Sequence, residues 1–268
     1  MSGPPLRLDL PLTFGTRRAA RVVERNLMVY RRTWMVLFSG FFEPLFYLAG
    51  IGFGLGRLVG EVPGPGGQPI SYALFVAPAL LASSSMNGAI AESTFNFFFK
   101  LNYDKTFAAI LATPVGPADI TLGELTWALI RGGAYAVGFV VVLVPLGLAV
   151  SPWLLLAIPA ALLVGFAFAA VGMAATSFMR TWQDFDLIQL VILPLFLFSG
   201  TFFPLEAYPA PLQVVVQLTP LYHGVDLIRH LVVGIVEPGL LIHVAYLVAM
   251  GLAGLAVVSG RLDKLLLR

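Results

Sequence analysis

The stretch "WLLLAIPAALLVGFAFAAVGMAATSF", Trp153 to Phe178, contains no Asp, Glu, Lys, Arg or His. Wound as a helix at ~1.5 Å per residue, it is long enough to cross the ~30 Å hydrocarbon layer of a bilayer. Five further apolar runs flank it: Trp34–Leu58, Tyr72–Phe95, Thr121–Leu148, Leu187–Pro204 and Leu240–Ser259. Hydrocarbon offers no partner for backbone N–H and C=O groups, so such runs must be helices; without alternating polarity they do not read as a barrel. The expected fold is an all-α integral membrane protein with six transmembrane helices in one domain. A cytoplasmic stem (1–33) precedes the spans (34–259), and a short tail (260–268) follows.

Composition points the same way. Of 268 residues 59% are hydrophobic and 11% charged, with a mean hydropathy of +0.90. Soluble domains carry about 25% charged residues. The chain has no cysteine, which excludes disulfides, thiolate metal sites and cysteine nucleophiles. A net charge of +2 gives no reason to expect nucleic acid as a partner. The N-terminus lacks the short apolar core and small-residue cleavage site of a removable signal peptide.

Charge placement sets the expected orientation. Arg7, Arg17, Arg18, Arg21, Arg25, Arg31 and Arg32 precede the first run; Lys100 and Lys105 follow the second, Arg180 the fourth, and Arg261, Lys264 and Arg268 the sixth. Only Arg57 and Arg229 fall on the other side. The positive-inside rule then puts both termini in the cytoplasm. Within the stem, Ala19, Val23, Leu27, Tyr30 and Trp34 form one stripe and Arg18, Arg21, Arg25 and Arg32 another. That pattern fits an amphipathic helix in the membrane interface with its arginines toward anionic headgroups. A soluble stem carrying topology-setting charge is the plainer alternative.

Between the second and third runs lies "KLNYDKTFAAILATPVGPADI", Lys100 to Ile120. Asn102 or Asp104 is placed to cap a helix, Tyr103, Phe107, Ile110 and Leu111 recur at helical spacing, and Pro114 stops it. The apolar face of this short helix either folds back on its own spans or docks in a partner's groove. The chain has no Gly-x-x-x-x-Gly-Lys-Ser/Thr loop, no Gly-x-Ser-x-Gly elbow and no His-Glu-x-x-His, so neither a nucleotide site nor a catalytic constellation is legible. Any transport work must draw on a gradient or on a partner.

Several stretches together resemble the ABC-2 type transporter permeases, and within them the nodulation protein J and daunorubicin-resistance-type exporters. They are "EPLFYLAGIGFGLG" (43–56), "SYALFVAPALLASSSMNGAIAEST" (71–94) and "YDKTFAAILATPVGPADITLGELTWA" (103–128). "FLFSGTFFPLEAYP" (196–209), "LTPLYHGVDLIRHLVVG" (218–234) and "KLLLR" (264–268) follow in the same order. The resemblance implies a non-enzymatic permease subunit in the bacterial inner membrane, exporting an amphipathic substrate such as a lipo-oligosaccharide, glycolipid or hydrophobic drug. It implies a second permease, a copy or a paralogue, and two cytoplasmic ATP-binding subunits. ATP and Mg would sit on those partners, leaving this chain without a cofactor. The loop helix with Tyr103, Asp104, Phe107, Ile110, Leu111 and Pro114 would be the coupling helix. A gradient-driven carrier acting without an ATPase is the alternative, disfavoured by the lack of an internal repeat of span pairs. A membrane-embedded enzyme lacks its catalytic groups.

Ionisable residues within spans are costly and face protein or water. Glu43 lies about eleven residues beyond Arg32, Glu92 about eight before Lys100, and Arg131 about ten into its run, all at comparable depth. A buried cluster of Arg131 with Glu92, and Glu43 nearby, is expected, either a static ion pair or a gate. Glu124 is expected to snorkel at the inner interface. Pro44 should kink the first span. Gly50, Gly52, Gly54 and Gly56 allow either close helix approach or a frayed end.

The stretch Leu205–Gly239 is longer than a loop needs, and its apolar residues are broken by Pro220. It reads as a re-entrant outer hairpin or two short helices, flanked by Pro204, with His223, Asp226, Arg229 and His230 on its polar face. The resemblance adds a role in closing the exit. The three histidines have no metal-ligand spacing. Phe42, Phe46, Phe198 and Phe202 either line a pathway or pack helices and face lipid.

Overall fold

The computed structural model describes residues 11–32 and 42–266. The beginning of the first expected span, with Trp34, and the terminal Arg7 and Arg268 therefore lie outside the described residues. Ten helices are labelled here in chain order. They are α1 (Pro11–Arg32), α2 (Phe42–Val59), α3 (Tyr72–Tyr103), α4 (Thr106–Leu111) and α5 (Pro117–Leu143). Then come α6 (Pro152–Thr176), α7 (Asp184–Phe198), α8 (Ala210–Leu218), α9 (Pro220–Val233) and α10 (Leu240–Leu266). The only strands among the described residues form one antiparallel hairpin, β1 (Glu61–Pro63) with β2 (Pro69–Ser71), in which Val62 faces Ile70. Gly66 and Gly67, both with φ near +70°, make its turn.

Five helices are long and apolar enough to cross a membrane: α2, α3, α5, α6 and α10. The chain is thus a helical, multi-pass membrane protein. The fifth expected span, Leu187–Pro204, differs from its sequence reading. Its helix α7 has 15 residues, which at ~1.5 Å each reach about 22 Å. It ends because Gly200 takes φ +71° and the following Thr201 and Phe202 turn into the protein interior. The apolar run continues past the helix because the turn itself is buried.

The bundle is built around α3, most of whose first twenty residues are buried. It packs on α5, α6 and α9, while α10 lies along α6. Gly254 of α10 sits where an added Cβ would come within 2.7 Å of the Ala170 carbonyl carbon, so only glycine permits that approach. The stem α1 lies on the start of α5, seated at Gly123, where a Cβ would meet the Val22 side chain at 2.5 Å. Its buried face is Ala19, Val22 and Asn26, whereas Leu27, Met28 and Val29 are exposed. The stripe expected from Leu27 is therefore offset by about one residue: the stem turns a polar Asn26 toward the bundle.

Among the described residues three places wind as π-helix: Leu48–Leu55 in α2, and Glu92–Asn96 and Phe99–Tyr103 in α3. In α3 the first wide turn is held by one contact from α6 and one within the helix. The Thr176 hydroxyl of α6 donates to the Ser93 carbonyl at 3.1 Å, and the Thr94 hydroxyl donates to the Ile90 carbonyl at 2.6 Å. The π winding prolongs α3 beyond the expected end at Phe95, carrying Lys100 within the helix rather than on a loop.

Candidate functional site

Four charges meet where α1, α3 and α5 converge. Arg131 places Nη1 2.6 Å from Oε2 of Glu92, whose side chain is 1% exposed. Tyr30 and Asn96 donate to the same oxygen at 3.1 and 2.9 Å. Lys100 places Nζ 2.6 Å from Oε2 of Glu124 and 3.8 Å from Oε1 of Glu92. Asn26 joins the second pair, donating to Glu124 at 3.1 Å and accepting from Lys100 at 3.3 Å. The network carries two positive and two negative groups, so burial leaves no net charge to solvate. The Arg131 guanidinium also lies over the Tyr30 and Tyr135 rings, 5.4 and 5.6 Å from their centroids.

Two sequence readings change here. Glu124 does not snorkel; it is buried and ion-paired, because the prolonged α3 brings Lys100 to it. Glu43 lies close by, lining with Arg131 a cavity that opens beside the network, but it is exposed and makes no ion pair among the described residues. Lys100 is the missed member. Its only sequence signal was helical spacing from Glu92, hidden by the assumption that a lysine after an apolar run marks a loop.

Beside the network opens a cavity of about 790 Å³ bounded by α2, α3, α5 and α7, with Tyr30 reaching it from α1. Tyr30, Arg131, Asn87, Asn96 and Gln189 form one part of its wall, and Tyr47, Phe95, Trp182, Phe185 and Phe196 another. Ser83 also lines it and leaves its buried Oγ without a hydrogen-bond partner. Phe42, Phe46, Phe198 and Phe202 are not among the lining residues. Phe46 and Phe198 face outward, Phe42 stacks on Phe46, and Phe202 packs edge-on against Phe196. The cavity is flanked by α2 and α7, both largely exposed, and α7 has no buried residue.

The short helix α4 follows α3 through Lys105, the only non-glycine with positive φ among the described residues. Neither Asn102 nor Asp104 caps it. The Asn102 amide donates back to the Phe98 carbonyl, and Tyr103 belongs to the end of α3. The helix stops at Leu111, before Pro114, and the Thr113 hydroxyl takes the Ile110 carbonyl at 2.6 Å. Phe107 is fully buried on Phe97, at 5.0 Å between ring centroids, with Ile110 and Leu111 packed on the same core. The apolar face thus folds back on the chain's own bundle. The outward face is Ala108, Ala109, Ala112 and Thr113, beside Asp104 and Pro114. A groove of about 370 Å³ runs between this face and Arg21, Val22 and Arg25 of α1.

At the far end of the bundle the stretch after Pro204 forms α8 and α9, broken between Thr219 and Pro220. Of α8 only Val216 is buried, whereas α9 is inserted against α3, α6 and α10. Arg229 points inward. It donates to the carbonyls of Phe75 and Gly200 at 3.1 and 2.6 Å and covers the Phe75 ring at 3.8 Å. His223 and Asp226 meet His243 of α10. Among the described residues no group of three or more His, Cys, Asp or Glu is arranged to hold a metal ion.

The fold is a helical, multi-pass membrane bundle with a large side cavity, a buried charge network of no net charge and a small helix presented at one end. Residues 19–233 match the family model described as "ABC-2 type transporter", so the chain belongs to the ABC-2 type transporter family. It is 35% identical over 215 residues to nodulation protein J of Rhizobium leguminosarum bv. trifolii, covering 80% of each chain. The nodulation protein J of Rhizobium leguminosarum bv. viciae is 32% identical over 249 residues, 91% of this chain and 94% of its own. That of Azorhizobium caulinodans is 28% identical over 252 residues, 91% and 96% respectively.

Proposed function

We propose that the chain is the membrane-spanning half of an ATP-driven exporter, lying in the bacterial inner membrane with both termini in the cytoplasm. One observation carries this reading. Helix α3 runs unbroken from the wall of the large cavity, through Glu92 and Lys100, to the turn that presents α4. A push on α4 is therefore delivered to the cavity wall along a single element. The pusher is a separate ATP-binding subunit, one per permease, whose groove takes the exposed Ala108–Ala109–Ala112 face. ATP and Mg belong to that subunit.

The cavity fits the export of an amphipathic molecule. The Arg131, Asn87, Asn96 and Ser83 side accepts a polar head, and the aromatic side takes rings or apolar chain. The lipid-like faces of α2 and α7 leave room for a second permease and let a tail stay near lipid. In the bilayer α7 and the buried turn after it complete a sixth crossing, with α8 and α9 as the hairpin that closes the outer exit. Replacing Ala109 by Trp tests the docking directly. It fills the groove beside α4 without touching the buried Phe107 anchor, so the chain still inserts but no longer co-purifies with its ATPase. Undiminished co-purification would place the ATPase elsewhere.

A further inference from the structure

All three histidines of the chain, His223, His230 and His243, gather at one joint between α9 and α10. His223 and His243 face each other Nδ1 to Nδ1 at 2.8 Å. On its other side His243 donates from Nε2 to Oδ2 of Asp226 at 3.2 Å. The Nδ1 of His230 bonds the Asp226 backbone carbonyl at 2.9 Å and lies 3.4 Å from the same carboxylate oxygen. The Tyr246 ring of α10 stacks on His223 at 3.9 Å, and its hydroxyl donates to the Leu218 carbonyl at the end of α8. Tyr222, Arg229 and Glu206 also act on this charge group. The imidazoles thus join the head of α9 to α10, and Tyr246, stacked on His223, ties in the end of the loosely held α8.

We infer that His223, His243 and Asp226 form a proton-binding site that latches α8 and the head of α9 to α10. The tautomers follow from the donors. With both rings neutral, His243 donates to Asp226 and keeps a bare Nδ1, which accepts the Nδ1–H of His223. A first proton makes His243 an imidazolium beside the Asp226 carboxylate. His223 then carries its own hydrogen on Nε2 and accepts at Nδ1, so the contact survives. A second proton leaves two N–H groups and two positive charges facing each other, and the contact breaks. Because α8 buries only Val216, it is the part that lifts. Acid on that side therefore opens the latch.

The inference rests on the outward orientation proposed above, and acidifying each side in turn separates the two ideas. The natural chain has no cysteine, so Leu212→Cys on α8 and Leu241→Cys on α10, both exposed, take spin labels without background. In proteoliposomes of the full chain, the label distance holds at neutral pH. It lengthens only as the outer medium falls well below the free imidazole value, toward about 4, because burial and the facing His243 hold the His223 imidazole down. His243→Gln or His223→Gln, which keep a hydrogen-bonding side chain that cannot charge, abolish the shift. Asp226→Asn moves the midpoint to lower pH by removing the neutralising carboxylate. A distance unchanged by acid on either side, a transition that survives both His→Gln changes, or an unmoved midpoint in Asp226→Asn overturns the inference. A response to lumenal acid alone, in vesicles of known sidedness, keeps the proton site and overturns the orientation.

Discussion

Replacing Arg131 by Ala probes the buried network most sharply. Glu92 is 1% exposed and takes its shortest bond, 2.6 Å, from Arg131. After the replacement it keeps two neutral donors, Tyr30 and Asn96, and Lys100 at 3.8 Å, which is already committed to Glu124 at 2.6 Å. Removing one partner of a buried pair costs about 3–5 kcal/mol, because a charge remains without its counterpart. Residual support from Lys100 argues for the lower end, about 3 kcal/mol. Arg131→Met combined with Glu92→Met removes both charges and, with volume kept, should return most of that loss. The assay is reversible unfolding of the purified chain in bicelles, run as a double-mutant cycle. A static network predicts two unstable single variants and a recovered double variant. Single variants within about 1 kcal/mol of the parent, yet inactive in transport, would refute the static pair and establish a moving gate.

Other outcomes follow from neighbouring contacts. Phe107→Ala empties a fully buried site against Phe97 and should cost about 3–5 kcal/mol in the same unfolding assay, making it a folding defect rather than a coupling one. Gly123→Val puts a branched side chain into Val22 and should release α1 from α5, read as faster proteolysis of the stem. Asp184 accepts the backbone N–H groups of Thr181 and Arg180 at 3.0 and 2.7 Å, which hold its carboxyl below the usual range. Its contribution is present above the unfolded carboxylate value of about 3.9 and is lost as pH falls through the lower folded value. Asp184→Asn should therefore leave behaviour below that range unchanged and loosen the α6–α7 connection at neutral pH, measured by amide exchange of Thr181.

The long crossings were legible because Trp153–Phe178 and its like need only length and apolar composition. The Arg131–Glu92 pair was legible because depth can be counted along a helix. Lys100 and Glu124 were not. Two π turns in α3 carry Lys100 inward, and they depend on tertiary hydroxyl contacts such as Thr176 to Ser93. The short α7 was hidden because Phe202 and Thr201 look like continuing span when they are a buried turn. Phe107 shows the same limit: helical spacing gives a face, and only the fold says whether that face meets the protein's own core or a partner.

The central claim is that work enters this chain from outside it. The direct measurement is efflux of a fluorescent amphipath from proteoliposomes holding the permease with and without its ATPase, with and without ATP and an imposed proton gradient. Efflux should require both ATPase and ATP and be absent from the permease alone under any gradient. Gradient-driven efflux by the permease alone would contradict it.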